Sequence, residues 1–576
     1  MRTITNRFRP APFFSWLIDA LLLAVVSVLA HLCLVPAGLA LLNADFAVYP
    51  ITAGMLSRGV LYPFQMYYDY GGATLTALRV PWIWLYEAIS GGGGAGGDVF
   101  LAANTAFTHL VVPVLLAWSF YFLARSAASR AGAVVAGLVA AIGFNSWTWN
   151  GGIEFYNAYL ILGCFILGIR LRYPNPFAGM KVPALFGASV LCGLAFYSCR
   201  ASVVYIVAFF VPVEWAWEEV KKIARPPHGR VEKIALWTTL GLLALFVWLE
   251  IFGPDLGTVF GRRIKLHAQP NFRFAALILA AVWLSRNARF IGRFQIKRGL
   301  AVVAGFVTGM LPEVVWSALL HKLPSLTGGR TYGFDESMRA LGRIPGSLME
   351  ILTSHGSVLR NFSMALFVAA VIALLRAARR DRKLVPLVFA GALAVFAYIR
   401  VLTYDFAPAR YLFPVFPVLL AAVAVLFDQL SLQGKRRYGA GALVVLIFSC
   451  VHMIHQYVSR VEKAQENIAS GRAEAIMEIV SRFRDAGVKA VITNNYWEGN
   501  QYTVAANFNP VFYPARTTFI HPVMVAMARA EKRAGIMLSN EPAGEIRRHI
   551  ELDDRVWKLD YIGAVRGITL YVGEAR

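Results

Sequence analysis

Apolar runs long enough to cross a bilayer recur along this chain, and they decide what it can fold into. A spanning helix needs ~20 apolar residues. The first run, Phe13 to Leu42, follows Arg2, Arg7 and Arg9. It is too long for a signal-peptide core and shows no clear small-residue cleavage site, so it reads as an uncleaved helix entering from the cytoplasm. Further candidate spans centre on 100–123, 132–147, 157–171, 183–198, 201–216, 235–252, 274–284, 300–319, 363–376, 384–402, 411–430 and 439–455. Together these make about thirteen spans. The chain is 58% hydrophobic and only 15% charged, whereas a soluble domain is roughly 45–50% apolar and about 25% charged. The expected fold is an all-α polytopic transmembrane bundle, and disorder, coiled coil and a simple soluble enzyme are excluded.

The formal net charge of +23 would point to nucleic acid in a soluble chain. Its distribution points to a lipid bilayer instead, with no nucleic-acid partner. From Tyr457 onward the tail is nearly neutral, with 16 Lys and Arg against 14 Asp and Glu. The excess lies in alternate short loops, for example Arg125/Arg130, Lys221/Lys222/Arg225, Arg376/Arg379/Arg380 and Lys435/Arg436/Arg437. That is the positive-inside pattern, with the N-terminus cytoplasmic. An odd number of spans then exports the tail, and the expected location is the bacterial inner membrane. The count requires that Tyr70 to Ile89 stay out of the bilayer. Gly71, Gly72, Arg79 and Pro81 interrupt it and Gly91 to Gly94 end it, which suits an interfacial helix. The organisation expected is a membrane domain over 1–456, with a first outer loop at 43–98 carrying interfacial helices, and an extracytoplasmic α/β domain over 457–576. In that tail Ala473 to Ala486 and Pro522 to Ala534 read as helices. Val488 to Thr493 and Gly535 to Leu538 read as strands, and Trp557 to Ile562 with Ile568 to Val572 as a hairpin through Arg566-Gly567.

Few residues carry chemistry. Asp45 follows the first span; an acid there can activate a hydroxyl or hold a cation, and it can equally cap the next helix. Glu154, expected at the mouth of another span, is a site candidate or a cap for that span. Arg58, Arg200, Arg330, Arg343, Arg400 and Arg410 are candidates for phosphate, which guanidinium grips bidentately. In the tail, Tyr496 and Trp497 lie among amides after a strand end, as sugar stacking requires; packing of that loop against the membrane part is the other reading. The five cysteines make no metal pair, His452 and His455 have no third ligand nearby, and no cofactor is implied, although a divalent cation would not conflict with the acids.

Two stretches match a known family. Asp45-Phe46-Ala47-Val48-Tyr49, then Ala53 to Gly59, Pro63 and Tyr67-Tyr68-Asp69-Tyr70-Gly71-Gly72, resemble the first outer loop of GT-C glycosyltransferases. They resemble especially the bacterial family 39-like enzymes, related to protein O-mannosyltransferases and lipid A aminoarabinose transferase. Ala407-Pro408-Ala409-Arg410-Tyr411-Leu412-Phe413-Pro414-Val415-Phe416-Pro417 resembles that group's Arg-Tyr-Leu-x-Pro-x-x-Pro segment. The resemblance implies a polyprenyl-phosphate-sugar-dependent transferase, moving a hexose or pentose onto a glycolipid, polysaccharide or protein acceptor at the outer face. Asp45 and Glu154 would be catalytic, Asp45 as general base. Arg410, Arg58 and Arg400 would hold the donor phosphate, and Tyr49, Asp69, Tyr70, Tyr411, Tyr496 and Trp497 would line the substrate. The chain departs from many relatives in having Phe46 after Asp45 in place of a second acid, and in lacking their Lys-Pro-Pro element. The rival reading is a polytopic transporter or lipid flippase for envelope glycolipids, which calls for discontinuous helices or an internal repeat.

Overall fold

An apolar run inside a bilayer must satisfy its own backbone, and a helix does so within one segment. The computed structural model describes residues 13–32, 35, 44–60, 64–65, 68–90, 97–147, 154–173, 175–211, 255–259, 262–265, 293–320, 334–352, 358–400, 409–432, 436–467, 471, 473–494, 496–515, 526, 529–539, 547–552 and 555–575. Helix α1 is Phe13–His31. The first loop then holds α2 (Ala44–Ser57), strands β1 (Phe64–Gln65) and β2 (Tyr68–Gly72), and α3 (Thr74–Ile89). Helices α4 (Gly97–Ala106) and α5 (Val112–Ala127) are joined by a π-helical turn, Phe107–Val111. There follow α6 (Arg130–Trp147), α7 (Glu154–Arg172), the short α8 (Pro176–Gly179), α9 (Val182–Ser198), a 3-10 turn Arg200–Ser202 and α10 (Val203–Phe210). Beyond a small antiparallel ladder of β3 (Asp255–Val259) and β4 (Arg262–Lys265) come α11 (Arg293–Gly309), α12 (Leu311–Leu320), α13 (Phe334–Leu352), α14 (Val358–Arg380) and α15 (Val385–Arg400). A 3-10 segment Ala409–Val415 leads into α16 (Phe416–Leu432), and α17 runs over Arg436–Asn467.

Four of these stretches are long and apolar enough to cross a membrane: Phe14–His31, Val99–Ala127, Arg382–Ile399 and Leu412–Ser431. Helix fills all or part of every other expected span except 235–252 and 274–284, which lie outside the described residues. The expected span 300–319 is divided into α11 and α12 at Met310, since Pro312 has no N–H to continue the ladder. The expected span 439–455 extends to Asn467, through the boundary at 456, because no Gly or Pro follows Gly441 to stop it.

One large apolar core joins α1, α5, α6, α7, α9, α10, α14, α15 and α16. At one end Asp19 of α1 accepts from Tyr121 Oη at 2.7 Å and from Arg130 Nε at 2.9 Å, which ties α1 to α5 and α6. Helices α9 and α11 meet backbone to backbone. A Cβ at Gly193 would collide with the Phe306 carbonyl, and one at Gly309 with the Val190 carbonyl. Small residues at such contacts let helices approach without side chains between them.

The C-terminal domain is a six-stranded sheet with helix α18 (Ala473–Asp485) on one face. Its strands are β5 (Ala490–Thr493), β6 (Val511–Pro514), β7 (Arg533–Ser539), β8 (His549–Leu552), β9 (Arg555–Val565) and β10 (Ile568–Ala575), in the order β6-β5-β7-β10-β9-β8. Strand β5 is parallel to both its neighbours, and the other pairs are antiparallel. The period of two sends Val491 and Phe512 toward Ile479, Val480 and Phe483 of α18, and Ala490, Ile492 and Tyr513 to the other face with Trp557. Two expectations change. Of the expected helix Pro522 to Ala534, the last two residues belong to β7, where Arg533 pairs with Glu574 and Ala534 with Gly573 of β10. The Tyr496–Trp497 stretch begins a helix, α19 (Tyr496–Ala505), where a loop was expected.

Candidate active site

Helix α2 opens with Ala44 and Asp45, so Asp45 stands in a first turn, where unsatisfied N–H groups favour an anion. Every residue from Val48 to Met55 is buried, including Tyr49. A helix lying on a membrane surface would keep one face open; between Val48 and Met55 α2 is enclosed all round. On one side stand Ile83 of α3 and Phe100 and Ala103 of α4, and on the other Val504 of α19 and Val511 of β6. Arg58, just past the end of α2, donates from Nη1 to the Gly54 carbonyl and from Nη2 to Asn507 Oδ1, both at 2.9 Å. Its guanidinium also sits 4.4 Å from the centre of the Phe508 ring. Burial lowers its pKa, against the pull of Glu87. Both terminal nitrogens of Arg58 are therefore engaged at the seam with the C-terminal domain.

Asp69 and Tyr70 lie on β2, in a short ladder where Phe64 pairs with Gly72 and Gln65 with Tyr68. The ladder is tethered to the end of α9: the Ala73 N–H donates to Tyr197 Oη at 3.1 Å, and Thr74 Oγ1 lies 2.6 Å from Ser198 Oγ. One step on, Arg79 of α3 is 1% exposed. It donates from Nη1 to Asn104 Oδ1 and from Nη2 to Thr108 Oγ1, both at 2.9 Å, above the Phe107 ring of the π-helical turn. Burial pulls its pKa down to about 9, and Tyr49, one turn beyond Asp45, acts in the opposite direction. In the sequence Arg79 is only an interruption of an apolar stretch, and its partners Asn104 and Thr108 lie on the next helix and turn.

Glu154 is the first residue of α7, and Arg410 and Tyr411 lie in the 3-10 segment before α16. Aromatic packing sets these two places side by side. The Tyr156 ring meets Phe413 edge-on at 5.7 Å and Tyr159 at 5.8 Å. Tyr159 stacks on Tyr205 at 6.2 Å, and Tyr205 Oη donates to the Pro414 carbonyl at 2.9 Å. Arg400 ends α15, which packs against the same segment. Among the described residues, Asn157 Oδ1, Tyr159 Oη and Ser202 Oγ are among the buried side-chain polar atoms with no hydrogen-bond partner. Buried polar atoms almost always find partners, and these three lie on α7 and on the 3-10 turn that packs against it. Sequence reasoning missed all three, since each sits inside an apolar or aromatic run.

The other arginines divide. Arg200 forms a two-pronged pair with Glu313 of α12, Nη1 to Oε2 at 2.8 Å and Nη2 to Oε1. It also stands over the Phe196 ring at 4.5 Å. Its charge is met inside the fold. Arg343 is exposed on α13, and Arg330 lies outside the described residues. Tyr496 and Trp497 open α19, the helix that packs on α2. No group of three or more His, Cys, Asp or Glu with metal-binding geometry occurs among the described residues.

No protein-family model matches the chain, and no curated protein does. Solved structures do. The chain is similar to the Archaeoglobus fulgidus oligosaccharyltransferase crystallised with Zn and sulfate, at 14% identity and a TM-score of 0.47, covering 90% of this chain and 67% of that one. The apo form of that protein gives 16% identity and a TM-score of 0.46, over 89% of this chain and 65% of that one. ArnT from Cupriavidus metallidurans, bound to undecaprenyl phosphate, gives 11% identity and a TM-score of 0.45, over 97% of this chain and 98% of that one. The chain thus spans about two thirds of the oligosaccharyltransferase and nearly all of ArnT. At this level the likeness is one of overall path and assigns no residue a role.

Proposed function

We propose that this chain is an integral membrane glycosyltransferase of the GT-C kind, moving a sugar from a polyprenyl-phosphate-linked donor to an acceptor hydroxyl. The observation that carries the reading is the meeting of the α7 mouth, where Glu154 begins, with the Arg410 segment, through Tyr156–Phe413 and Tyr205–Pro414. Two segments distant in the sequence, one beginning with Glu154 and one holding Arg410, thereby meet at one end of the bundle.

In this mechanism the Asp45 carboxylate takes the proton of the acceptor hydroxyl as its oxygen bonds to the anomeric carbon. The bond from that carbon to the phosphate oxygen breaks on the opposite side, so the sugar's configuration inverts. The polyprenyl phosphate leaves with the electron pair, its charge held by Arg410 and Arg400. Glu154 orients the sugar or acceptor at the α7 mouth, and Tyr49, Asp69, Tyr70, Tyr411, Tyr496 and Trp497 supply hydrogen bonds and stacking. In this account Arg58 is assigned to the seam with the C-terminal domain, where each of its terminal nitrogens already holds one partner, Gly54 and Asn507.

Mass spectrometry of envelope glycolipids, polysaccharide and glycoproteins with and without the gene tests the reading. A loss of one sugar mass from one species is expected, and it identifies hexose or pentose and the acceptor class together. Movement of labelled glycolipid into proteoliposomes, with no glycosidic bond formed, would instead establish the transporter. The site is proposed to face the periplasm. A reporter fused after Arg576 should be exported and one at Lys222 should stay cytoplasmic; export at Lys222 would overturn this topology.

A further inference from the structure

The turn after α19 joins the C-terminal domain to α2, the helix with Asp45 in its first turn. Its residues Asn507 and Phe508 have φ of +47° and +63°, a left-handed conformation that is uncommon for non-glycine residues and an outlier for a bulky one. Such strain persists only where the surroundings enforce it, and it gathers at working parts of proteins. Here both sides enforce it. Within the domain, Arg484 of α18 donates from Nε to the Asn509 carbonyl and from Nη2 to the Ala506 carbonyl, both at 2.7 Å. Thr503 Oγ1 also donates to the Phe512 carbonyl and accepts from the Phe512 N–H, each at 2.8 Å. From the other side Arg58 grips Asn507 and covers the Phe508 ring.

Phe508 is delivered by that turn onto α2. It meets Phe100 of α4 edge-on at 5.8 Å. It also lies so close to α2 that only glycine fits at position 54: a Cβ there would collide with the Phe508 ring and stand 3.0 Å from Phe100 Cζ. Gly54 lies nine residues from Asp45 on one helix, about 13.5 Å at ~1.5 Å per residue. Pro50 removes one backbone hydrogen bond between them, but every residue from Val48 to Met55 is buried, so a displacement at Gly54 is passed toward Asp45 through packed side chains.

We propose that Phe508, Arg58 and Gly54 form a latch by which the C-terminal domain sets the position of α2 and hence of Asp45. The domain is then a positioning element of the site. The inference rests on the glycosyltransferase reading for its consequence in rate, but not for the latch itself. Misplacing a catalytic group by ~1 Å can cost ~10²-fold, so loosening the latch should lower kcat and leave the KM for the lipid-linked donor nearly unchanged.

The test uses the full chain in nanodiscs and compares Phe508→Ala, Arg58→Ala and Phe508→Tyr by hydrogen exchange and by transfer kinetics. Both alanine variants should speed exchange in peptides from Ala44–Ser57 while α18 and β5 keep their protection. Both should reduce kcat by ~10-fold to ~10²-fold, and Phe508→Tyr should restore each. A rise in donor KM confined to Arg58→Ala would make Arg58 a phosphate ligand and overturn the latch. Unchanged exchange across α2, or faster exchange with wild-type kcat, would overturn it as well. If the unaltered protein transfers no sugar, the glycosyltransferase reading fails, and the exchange comparison, which needs no substrate, still decides whether the domain holds α2.

Discussion

The loop after α1 is held at two seams of opposite chemistry. Toward α9 the contacts are polar: a backbone N–H on Tyr197 Oη and one hydroxyl on another. Toward the C-terminal domain they are mainly apolar, with Val504, Val511 and Phe508 packed on Val48, Ile51 and Met55. A hydrogen bond fixes direction but contributes only ~0.5–1.5 kcal/mol net, because water offers the same bond to the unfolded chain. Packed rings and branched side chains fix depth, and each buried one is worth ~1.5–3 kcal/mol. The ladder with Asp69 and Tyr70 is therefore aimed by α9, while the helix with Asp45 is seated by the C-terminal domain.

The most forceful way to break this comparison is through the acid at the head of the seated helix. Asp45→Asn keeps size and hydrogen bonding but removes a base, and transfer should fall by ~10²–10⁴ while folding is nearly unchanged. Residual transfer above about a tenth of the normal rate lies outside that range. Asp45 would then be a helix cap, and both seams would position nothing catalytic. Arg410→Ala sharpens the comparison from outside either seam. Loss of a charge-assisted contact of about 1.5–3 kcal/mol should weaken donor capture and turnover together by ~10-fold to ~10²-fold, read in steady-state kinetics with donor varied. A normal donor KM would move the phosphate site elsewhere. The smallest effect belongs to the polar seam. Tyr197→Phe removes the acceptor of the Ala73 N–H and should cost about 1–3 kcal/mol, read as a lower thermal midpoint with transfer reduced less than by Asp45→Asn. A larger loss of transfer than in Phe508→Ala would reverse the ranking of the seams.

What could be read in the sequence follows the same division between local and distant. Helices α1 and α16 were legible because apolar runs of spanning length have few other solutions. The β9–β10 hairpin was legible because Arg566-Gly567 interrupts two alternating runs. Helix α2 was not legible as an enclosed helix. The sequence reading expected interfacial helices in this loop, and the partner of α2 arrives from far along the chain, with Arg58 meeting a residue 449 positions later. The meeting of Tyr156 with Phe413 is equally silent in any periodicity. The resemblance marked Glu154 and Arg410 singly, and the aromatic contacts between their segments appear only in three dimensions. Asn157, Tyr159 and Ser202 gave no signal because a buried polar residue in an apolar run looks the same whether or not a neighbour satisfies it.

Helix α17 has a geometric consequence for where the chain leaves it. Its 32 residues extend about 48 Å at ~1.5 Å per residue, against a hydrocarbon layer of about 30 Å. The apolar stretch ends near Ile454, and the remainder, with Arg460, Glu462, Lys463 and Glu466, is built for water. Unbroken by Gly or Pro between Gly441 and Asn467, the helix carries the chain about 20 Å beyond its apolar stretch at ~1.5 Å per residue. One residue inserted in that polar part would turn the end of the helix by about 100° and advance it ~1.5 Å, whereas seven would almost restore the bearing and advance it ~10 Å. The height and heading at which the chain leaves α17 are therefore encoded in the residue count of that polar part.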